Sequence, residues 1–303
     1  MKLGVALGGG GAKGIAHVGV LRVLDEARVP VDIVTGTIAC SFVGALYAAG
    51  KSSDEITRVI CRTNLRQWLA RDRTGMGFFS TDGIRRMIDA ELGKDARIEN
   101  LPRRFASIAT EMESQREVVF DSGRVADAVC ASCAFPMVLA PAQFDGHCYL
   151  DGGLLNPVPF DVARRLGADR VLAVDLMADE PMFTATPSRH GPEAFLFRFI
   201  FTAEHQKIFR VTARAIGIMT QSSRRLKQMQ ASPDLTIYPD VRNIGLIDFD
   251  LAGVSLAAGE SAMRAALPQL ERILSPTLSA RTQYHFQRTA RQIQRVFAGT
   301  RTR

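Results

Sequence analysis

The turn Gly36-Thr37-Ile38-Ala39-Cys40 has the layout of a nucleophile elbow, a sharp strand-to-helix turn that presents a serine above a sheet. An apolar run precedes this turn, and a predicted helix of small residues follows it. In the pattern G-x-S-x-G, Ile38 stands at the serine position and Cys40 at the second glycine position. The surroundings predict acyl-transfer chemistry, but isoleucine has no hydroxyl that could attack an ester.

A cluster of glycines follows the first predicted strand, residues 3–7, and precedes a predicted helix from about 15 to 27. Glycines let the backbone approach an anion closely, and N–H groups at a helix start favour negative charge. We therefore expect a nest of N–H groups that stabilises an oxyanion. A tight turn without a ligand is the alternative, although four consecutive glycines cost much chain entropy. The residues concerned are Gly9, Gly10, Gly11, Lys13 and Gly14.

The same glycines match the dinucleotide-binding pattern G-x-G-x-x-G, which is a weak signal by itself. That interpretation requires an acidic residue about 20 residues further on, at the far end of the second strand. Asp32 has roughly this separation, but it precedes its predicted strand, and Thr35-Gly36 stands at the far end. Dinucleotide binding is therefore the disfavoured hypothesis.

Asp151 ends a short apolar run and is followed by Gly152 and Gly153. Another part of the backbone can approach a carboxylate in this setting, because no bulky side chain comes next in the chain. A carboxylate in a dry site can act as the base for a hydroxyl nucleophile. An ordinary Asp-Gly turn is the structural alternative.

Three other side chains could in principle replace the missing hydroxyl, and each fits poorly. Ser41 lies three positions beyond the serine position, on the predicted helix, and would point elsewhere. Cys40 is two residues away from that position, and no neighbour clearly lowers its pKa. Ser255 lies in Gly253-Val254-Ser255-Leu256-Ala257, which lacks the last glycine of the pattern and follows Asp151 in the chain.

Strand and helix patterns alternate along the first half of the chain, which predicts an α/β fold with a mainly parallel sheet. The 303 residues allow one sizeable core, which we place at residues 3–176. Asp54 is expected to cap a helix that runs from Glu55 to Leu69. Residues 177–303 are predicted to form a helical C-terminal extension that packs on the same domain.

Two parts of this extension have an unusual composition. Phenylalanines at alternate positions from Phe195 to Phe201 are expected to form a helix–sheet contact, with a lid or a membrane-facing surface as the alternative. From about residue 272 the chain becomes a basic tail with no acidic residue. Such a tail is typical of a solvated end, and peripheral contact with an anionic membrane is the functional alternative.

The net charge of +7 and the pI of about 9.5 are compatible with an anionic partner, either phospholipid headgroups or nucleic acid, or with solubility alone. Five cysteines at scattered positions indicate a reducing compartment. Cys130 and Cys133 form a C-x-x-C without a second pair, so we predict no metal site. Since there is no leader pattern and no apolar run of 18 residues, we expect a cytoplasmic protein.

Three separated motifs together resemble the patatin-like phospholipase family: the glycine cluster through Leu21, the turn at 36–40, and Asp151-Gly152-Gly153. The likeness covers most of residues 3–176 and weakens towards about 270. It implies a three-layer α/β/α sandwich and a Ser–Asp dyad that hydrolyses lipid acyl esters without histidine. Asp151 corresponds to the dyad aspartate, Ile38 to the absent nucleophile, and the glycine cluster to the oxyanion hole.

The resemblance also implies a lipid or acyl-ester substrate, no cofactor and no nucleic-acid partner, and it leaves the oligomeric state unspecified. The first hypothesis is a lipid acyl hydrolase whose reaction is impaired by Ile38 and Cys40. The alternative hypothesis is a non-catalytic module that binds acyl lipids or a membrane surface. The first hypothesis also includes the expectation that Ile38, as a β-branched residue, is poorly suited to the strained backbone of the elbow.

Overall fold

An eight-stranded mixed sheet organises the fold of this protein, for which the computed structural model describes residues 1–62, 70–177, 203–245 and 248–275. A two-stranded antiparallel sheet accompanies it. The strands are β1 (Leu3–Leu7), β2 (Ile33–Thr37), β3 (Ala70–Arg71), β4 (Phe79–Ser80), β5 (Arg104–Glu111), β6 (Arg116–Phe120), β7 (Ala142–Phe144), β8 (His147–Asp151), β9 (Arg170–Val174) and β10 (Leu235–Ile237).

Helices connect most of the strands. They are α1 (Ala16–Glu26), α2 (Cys40–Ala48), α3 (Ser53–Arg62), α4 (Asp82–Leu92), α5 (Val125–Cys133), α6 (Phe160–Arg165), α7 (Ala203–Gln230) and α8 (Ala252–Leu274). Short 3-10 helices occur at Gly11–Ile15, Ile98–Asn100, Gly152–Leu154 and Phe249–Leu251. The helix predicted from about residue 15 therefore begins with a 3-10 turn that contains Lys13.

Five strands run parallel in the order β10-β9-β1-β2-β5, and β6, β8 and β7 complete the sheet with antiparallel pairs. Side chains of successive strand residues enter different cores: Val5 and Leu7 face one side of β1, and Ala6 faces the other. Helix α6 covers the face of Ala6, whereas α1, α2, α5 and α8 cover the opposite face. The predicted α/β fold with helices on both faces of a mainly parallel sheet is confirmed.

Strand β5 places the ends of β2 and β8 side by side. Ser107 and Ala109 of β5 both pair with β6, which occupies one edge of the strand. On the other edge, β2 pairs as far as Thr37 with Ile108, and the next residue of β5, Ala109, pairs with Asp151 at the end of β8. The last residue of β8 is thereby held next to the last residue of β2 by backbone pairing, and the Thr110 hydroxyl adds a hydrogen bond of 3.0 Å to the carbonyl of Asp151.

The predicted cap at Asp54 is wrong, because Ser52 caps α3. Its hydroxyl accepts from the N–H of Glu55 at 3.2 Å, and the Glu55 carboxylate accepts from the N–H of Ser52 at 2.8 Å. This reciprocal pair satisfies two N–H groups at the start of the helix. The predicted helix end at Leu69, the phenylalanines at 195–201 and the basic tail beyond residue 275 lie outside the described residues.

No helix in the described parts of the chain is both long and apolar enough to cross a membrane.

Candidate active site

The glycine loop after β1 is anchored by backbone hydrogen bonds to neighbouring strands and loops. The N–H of Gly8 donates to the carbonyl of Val174 at 3.0 Å, and the N–H of Gly9 donates to the carbonyl of Pro157 at 3.0 Å. Both N–H groups therefore hold the loop in place. The next two N–H groups along the loop are those of Gly10 and Gly11. Gly11 has a left-handed backbone with φ of +58°.

Two side chains outside the glycine pattern brace this loop. His17 is fully buried in α1, and its Nε2–H donates to the carbonyl of Gly8 at 2.7 Å. Burial lowers the pKa of His17 from 6.5 to about 4, so the ring is neutral at physiological pH. Ser255, at the start of α8, donates its hydroxyl to the carbonyl of Lys13 at 2.9 Å.

The turn between β2 and α2 has the sharp geometry of a nucleophile elbow. Ile38 sits at its tip with φ of +58°, a conformation that β-branched residues rarely adopt. The helix starts immediately afterwards, since the carbonyl of Ile38 accepts from the N–H of Ser41 at 3.0 Å. Gly36 permits this close return, because a Cβ atom there would lie 2.8 Å from Cα of Ser41.

The side chain of Ile38 fills the space between the glycine loop and the turn after Asp151. A Cβ atom added to Gly9 would lie 2.0 Å from Cδ1 of Ile38, and one added to Gly153 would lie 2.6 Å from the same atom. The glycine loop and the turn after Asp151 therefore both lie against the half-buried side chain of Ile38. The position that corresponds to a serine hydroxyl is occupied by hydrocarbon.

Asp151 ends β8 and is 1% exposed. Its Oδ1 accepts from the N–H of Gly153 at 2.6 Å. Its Oδ2 is buried and has no hydrogen-bond partner among the described residues. Gly152 permits the tight approach at this point, because a Cβ atom there would lie 2.1 Å from the carbonyl oxygen of Ile108.

Burial raises the pKa of Asp151 from 3.8 to about 8, and the hydrogen bond from Gly153 opposes this rise only in part. A carboxylate with one unsolvated and unpaired oxygen is unfavourable, so the carboxyl group keeps its proton at neutral pH. A strongly perturbed acid at a strand end is typical of a functional site.

Cys40 is fully buried at the start of α2 and faces the glycine loop. Its Sγ would lie 2.7 Å from a Cβ atom on Gly14, so the thiol occupies space that this glycine leaves open. Burial raises the pKa of the Cys40 thiol well above its usual range, and the Asp151 carboxylate, which is ionised at the high pH where this thiol would titrate, adds to the rise. The N–H of Gly10 opposes the shift. Such a thiol is a poor nucleophile at neutral pH.

The remaining candidates have structural partners. Ser41 is buried and shares a hydrogen bond of 2.6 Å with the hydroxyl of Ser107. Asp32 accepts from the N–H of Leu3 at the opposite end of the strands, far from the glycine loop. The Cys133 thiol donates to the carbonyl of Ile38 at 3.3 Å, and Cys130 is a buried free thiol. No group of three or more His, Cys, Asp or Glu side chains suited to a metal ion occurs in the described ranges.

The structure thus brings the glycine loop, Ile38, Cys40 and the Asp151-Gly152-Gly153 turn together at the carboxyl ends of neighbouring strands. Sequence reasoning missed the bracing roles of His17 and Ser255. His17 lies in the apolar first half of α1, residues 16–21, and a single polar residue in this stretch was the available signal. Nothing local in the sequence around Ser255 indicated that its partner is a carbonyl 242 residues away.

Comparisons with known proteins show the family to which this chain belongs. The model of the patatin-like phospholipase family matches residues 5–164. Patatin-like phospholipase domain-containing protein 7 of Rattus norvegicus is 36% identical over 188 residues, which are 57% of this chain and 13% of that protein. An NTE family protein of Mycobacterium tuberculosis, described as uncharacterized, is 29% identical over 279 residues, which are 88% of this chain and 46% of that protein.

Among solved structures, VipD from Legionella pneumophila matches with a TM-score of 0.50 and 12% identity, over 88% of this chain and 66% of that chain. At this identity the likeness concerns the fold. The present chain spans less than half the length of the two sequence relatives described above. Because the family model matches 160 of the 303 residues, the chain belongs to the patatin-like phospholipase family.

Proposed function

We propose that this chain has the site of a lipid acyl hydrolase whose hydrolytic step is impaired by Ile38. The observation that supports this most directly is the buried Oδ2 of Asp151, which has no partner among the described residues and lies beside the turn that holds Ile38. In a working dyad, this oxygen would accept the hydrogen bond of a serine hydroxyl at position 38. That hydrogen bond would favour the ionised carboxylate, which is the form that can act as the base. Here the site keeps its aspartate, its elbow and its glycine loop without the nucleophile.

The reaction that such a site performs follows from its parts. The aspartate accepts the proton of the serine, and the serine oxygen attacks the ester carbonyl to form a tetrahedral intermediate. This intermediate expels the alcohol, which takes up the proton from the aspartic acid, and leaves an acyl-enzyme. Water, deprotonated by the same aspartate, then releases the carboxylic acid and restores the serine. Backbone N–H groups stabilise the negative charge on the carbonyl oxygen. The N–H groups of Gly8 and Gly9 already donate to the carbonyls of Val174 and Pro157. We therefore assign the hydrogen bonds to the oxyanion to the N–H groups of Gly10 and Gly11.

Two features of this chain oppose the reaction. Isoleucine cannot form an acyl-enzyme, and its side chain occupies the space between Gly9 and Gly153. The thiol of Cys40 occupies the space beside Gly14 of the glycine loop and interacts with the N–H of Gly10. Removal of a nucleophile from a related kind of site leaves at most about 10³–10⁴-fold acceleration over water.

The test is to restore the two positions. The variant Ile38→Ser/Cys40→Gly is expected to hydrolyse p-nitrophenyl butyrate at least about 100-fold faster than the unchanged chain. It is also expected to react covalently with a fluorophosphonate, which labels an activated serine. The single variants separate the gain from the hydroxyl at position 38 from the gain due to space at position 40.

Two matched controls define the roles. Ile38→Ala/Cys40→Gly opens the same space without a hydroxyl and should stay inactive. Ile38→Ser/Cys40→Gly/Asp151→Asn keeps the hydroxyl but removes the base, and should lose most of the restored rate. Brisk hydrolysis by the unchanged chain that survives Asp151→Asn would show that these roles are assigned wrongly.

A second candidate function is non-catalytic binding of an acyl lipid. It is favoured by the apolar side chain of Ile38, which lies between an intact glycine loop and a protonated Asp151. A short-chain phosphatidylcholine, kept below its micelle concentration, should then raise the thermal midpoint of the unchanged chain. Ile38→Asp should abolish the shift, and an unchanged midpoint at high lipid concentration would exclude this function.

A further inference from the structure

Helix α7 carries a stripe of exposed apolar side chains along its outer face. The stripe, which we call the outer stripe, consists of Ile208, Val211, Ile218, Met219, Leu226 and Met229. These side chains are 59–84% exposed. At 100° per residue they fall within about one third of the helix circumference, and the exposed Ala215 and Ser222 lie between them.

The opposite face of α7 already provides the contacts that hold the helix on the protein. Ala213, Ile216 and Thr220 are buried there. On the same side, Arg224 pairs with Asp175 at 2.8 Å, and Lys227 pairs with Asp161 at 2.8 Å. The outer stripe is therefore a second apolar face on a helix whose inner face is already packed.

After its first turn, which contains Glu204, α7 carries basic residues and no acidic residue. From Lys207 to Gln230 the sequence contains six lysines and arginines and no aspartate or glutamate. Arg224 and Lys227 are engaged in the ion pairs of the inner face, whereas Lys207, Arg214 and Arg225 are exposed. On a helical wheel these three lie along one border of the outer stripe.

The position of α7 connects this face with the candidate active site. The hydroxyl of Ser223 donates to the carbonyl of Leu154 at 2.9 Å, in the 3-10 turn that directly follows Asp151. Arg224 holds the chain just after β9, next to the strand that ends in the glycine loop. The helix therefore lies at the carboxyl ends of the strands, where the candidate site is.

We propose that the outer stripe is a docking face for an anionic lipid bilayer. Its apolar side chains would enter the boundary between headgroups and acyl chains, and Lys207, Arg214 and Arg225 would contact lipid phosphates. A second copy of the chain fits less well, because it would bring this basic border close to further positive charge on a chain of net charge +7. The proposal does not depend on whether the site can hydrolyse an ester.

The experiment is co-sedimentation of the full chain with vesicles of phosphatidylcholine alone and of phosphatidylcholine with 30 mol% phosphatidylglycerol. The chain should bind the anionic vesicles at low salt, and binding should weaken at 500 mM NaCl. Ile218→Asn/Leu226→Asn should reduce the partition coefficient at least about 100-fold, since burial of each side chain contributes about 1.5–3 kcal/mol. Arg214→Glu/Arg225→Glu should reduce it by about 30-fold or more, because each basic residue contributes about 1 kcal/mol.

Matched controls lie on other surfaces. Val254→Asn removes an apolar side chain that is 57% exposed on α8 and should leave binding unchanged. Arg86→Glu reverses an exposed charge on α4 and should reduce binding far less than a charge reversal on α7.

Three results would overturn the proposal. Equal binding by the outer-stripe variants and the unchanged chain would place the lipid contact elsewhere. A fall of several degrees in the thermal midpoint of Ile218→Asn/Leu226→Asn with unchanged vesicle binding would show that the chain itself covers the stripe. A dimer in light scattering that these substitutions dissociate would assign the stripe to a second copy.

Discussion

At the scale of single residues, Ile38 has the left-handed backbone conformation that the sharp turn requires, although its β-branched side chain disfavours this conformation. A left-handed backbone costs an L-residue roughly 1–2 kcal/mol, and a β-branched residue is especially ill suited to it. The surrounding hydrogen bonds hold the conformation, since the Ile38 carbonyl accepts from both Ser41 and Cys133. The elbow geometry therefore belongs to the fold and does not require a serine.

Asp151 should give the folded state a characteristic pH dependence. Between about pH 4 and pH 8 the folded chain keeps a proton on Asp151 that the unfolded chain has released, so the free energy of unfolding falls as the pH rises. The slope from this one group is at most about 1.4 kcal/mol per pH unit. Asp151→Asn removes it, so the variant should gain stability over the unchanged chain progressively from pH 4 to pH 8 in urea denaturation.

His17 acts in the opposite direction and provides the matching control. It stays neutral when folded and becomes protonated when unfolded between about pH 6.5 and pH 4, so its contribution to stability is lost as the pH falls. The unchanged chain should therefore show the slope of Asp151 most clearly above pH 6.5. A difference between Asp151→Asn and the unchanged chain that does not vary with pH would refute the protonated carboxyl.

The chemical types of the site residues were readable from the sequence, but the use of each N–H group was not. The pattern Gly9-x-Gly11-x-x-Gly14 predicts a close backbone approach, because only glycine tolerates it. It does not tell which N–H groups face a ligand. That the N–H of Gly9 binds the carbonyl of Pro157 depends on a contact between residues 148 positions apart in the chain.

At the scale of the elements, α1 and α8 approach each other through a pair of glycines. A Cβ atom on Gly19 would lie 2.1 Å from the carbonyl oxygen of Leu256, and one on Gly259 would lie 1.9 Å from that of Ala16. Each glycine thus faces the backbone of the other helix. This close contact is what lets Ser255 reach the carbonyl of Lys13.

Gly259→Ala should destabilise the chain because its methyl group would overlap backbone that cannot move independently. We expect a loss of about 1–3 kcal/mol in the free energy of unfolding, measured by urea denaturation. Gly253→Ala is the matched control on the same helix, since no atom lies within 4 Å of its added Cβ. It should be neutral or slightly stabilising. Equal stability of the two variants would contradict the close packing of α8 on α1.

The types of the strands and helices followed from the hydrophobic pattern, whereas the starts of two helices did not. The sequence Ser52-x-x-Glu55 is a capping box, which was available as a signal and favours Ser52 over Asp54 as the cap. The 3-10 geometry of Gly11–Ile15 had no comparable signal. It follows from packing against α8, which no local pattern reveals.

At the scale of the whole molecule, the residues after 176 take part in the same sheet and the same core. Strand β10 pairs in parallel with β9, and Met263 and Leu270 of α8 are buried in the core cluster that includes α1. The family model ends at residue 164, before β9 and β10. We propose that these later elements fold together with the glycine loop as one unit.

A chain that ends at Met177 should therefore fail to fold cooperatively. It would expose the edge of β9 and the face of α1 that α8 covers, which favours aggregation. We expect loss of near-ultraviolet circular dichroism and binding of the dye ANS. A chain that ends at Ser275 keeps every described strand and helix and should unfold in one transition. Cooperative unfolding of the shorter chain would show that residues 3–176 form a self-sufficient domain.

The shared edge of β5 makes the active-site spacing a property of backbone register. Because β2 and β8 follow one another along that edge, position 38 and Asp151 stay at a fixed offset whatever side chain occupies the turn. The fold therefore fixes the position of residue 38 relative to Asp151, and the reactive side chain at position 38 can be changed. Threonine, cysteine or a synthetic amino acid at position 38 would meet the same carboxyl group and the same glycine loop, which makes the chain a scaffold for designed acyl-transfer catalysts.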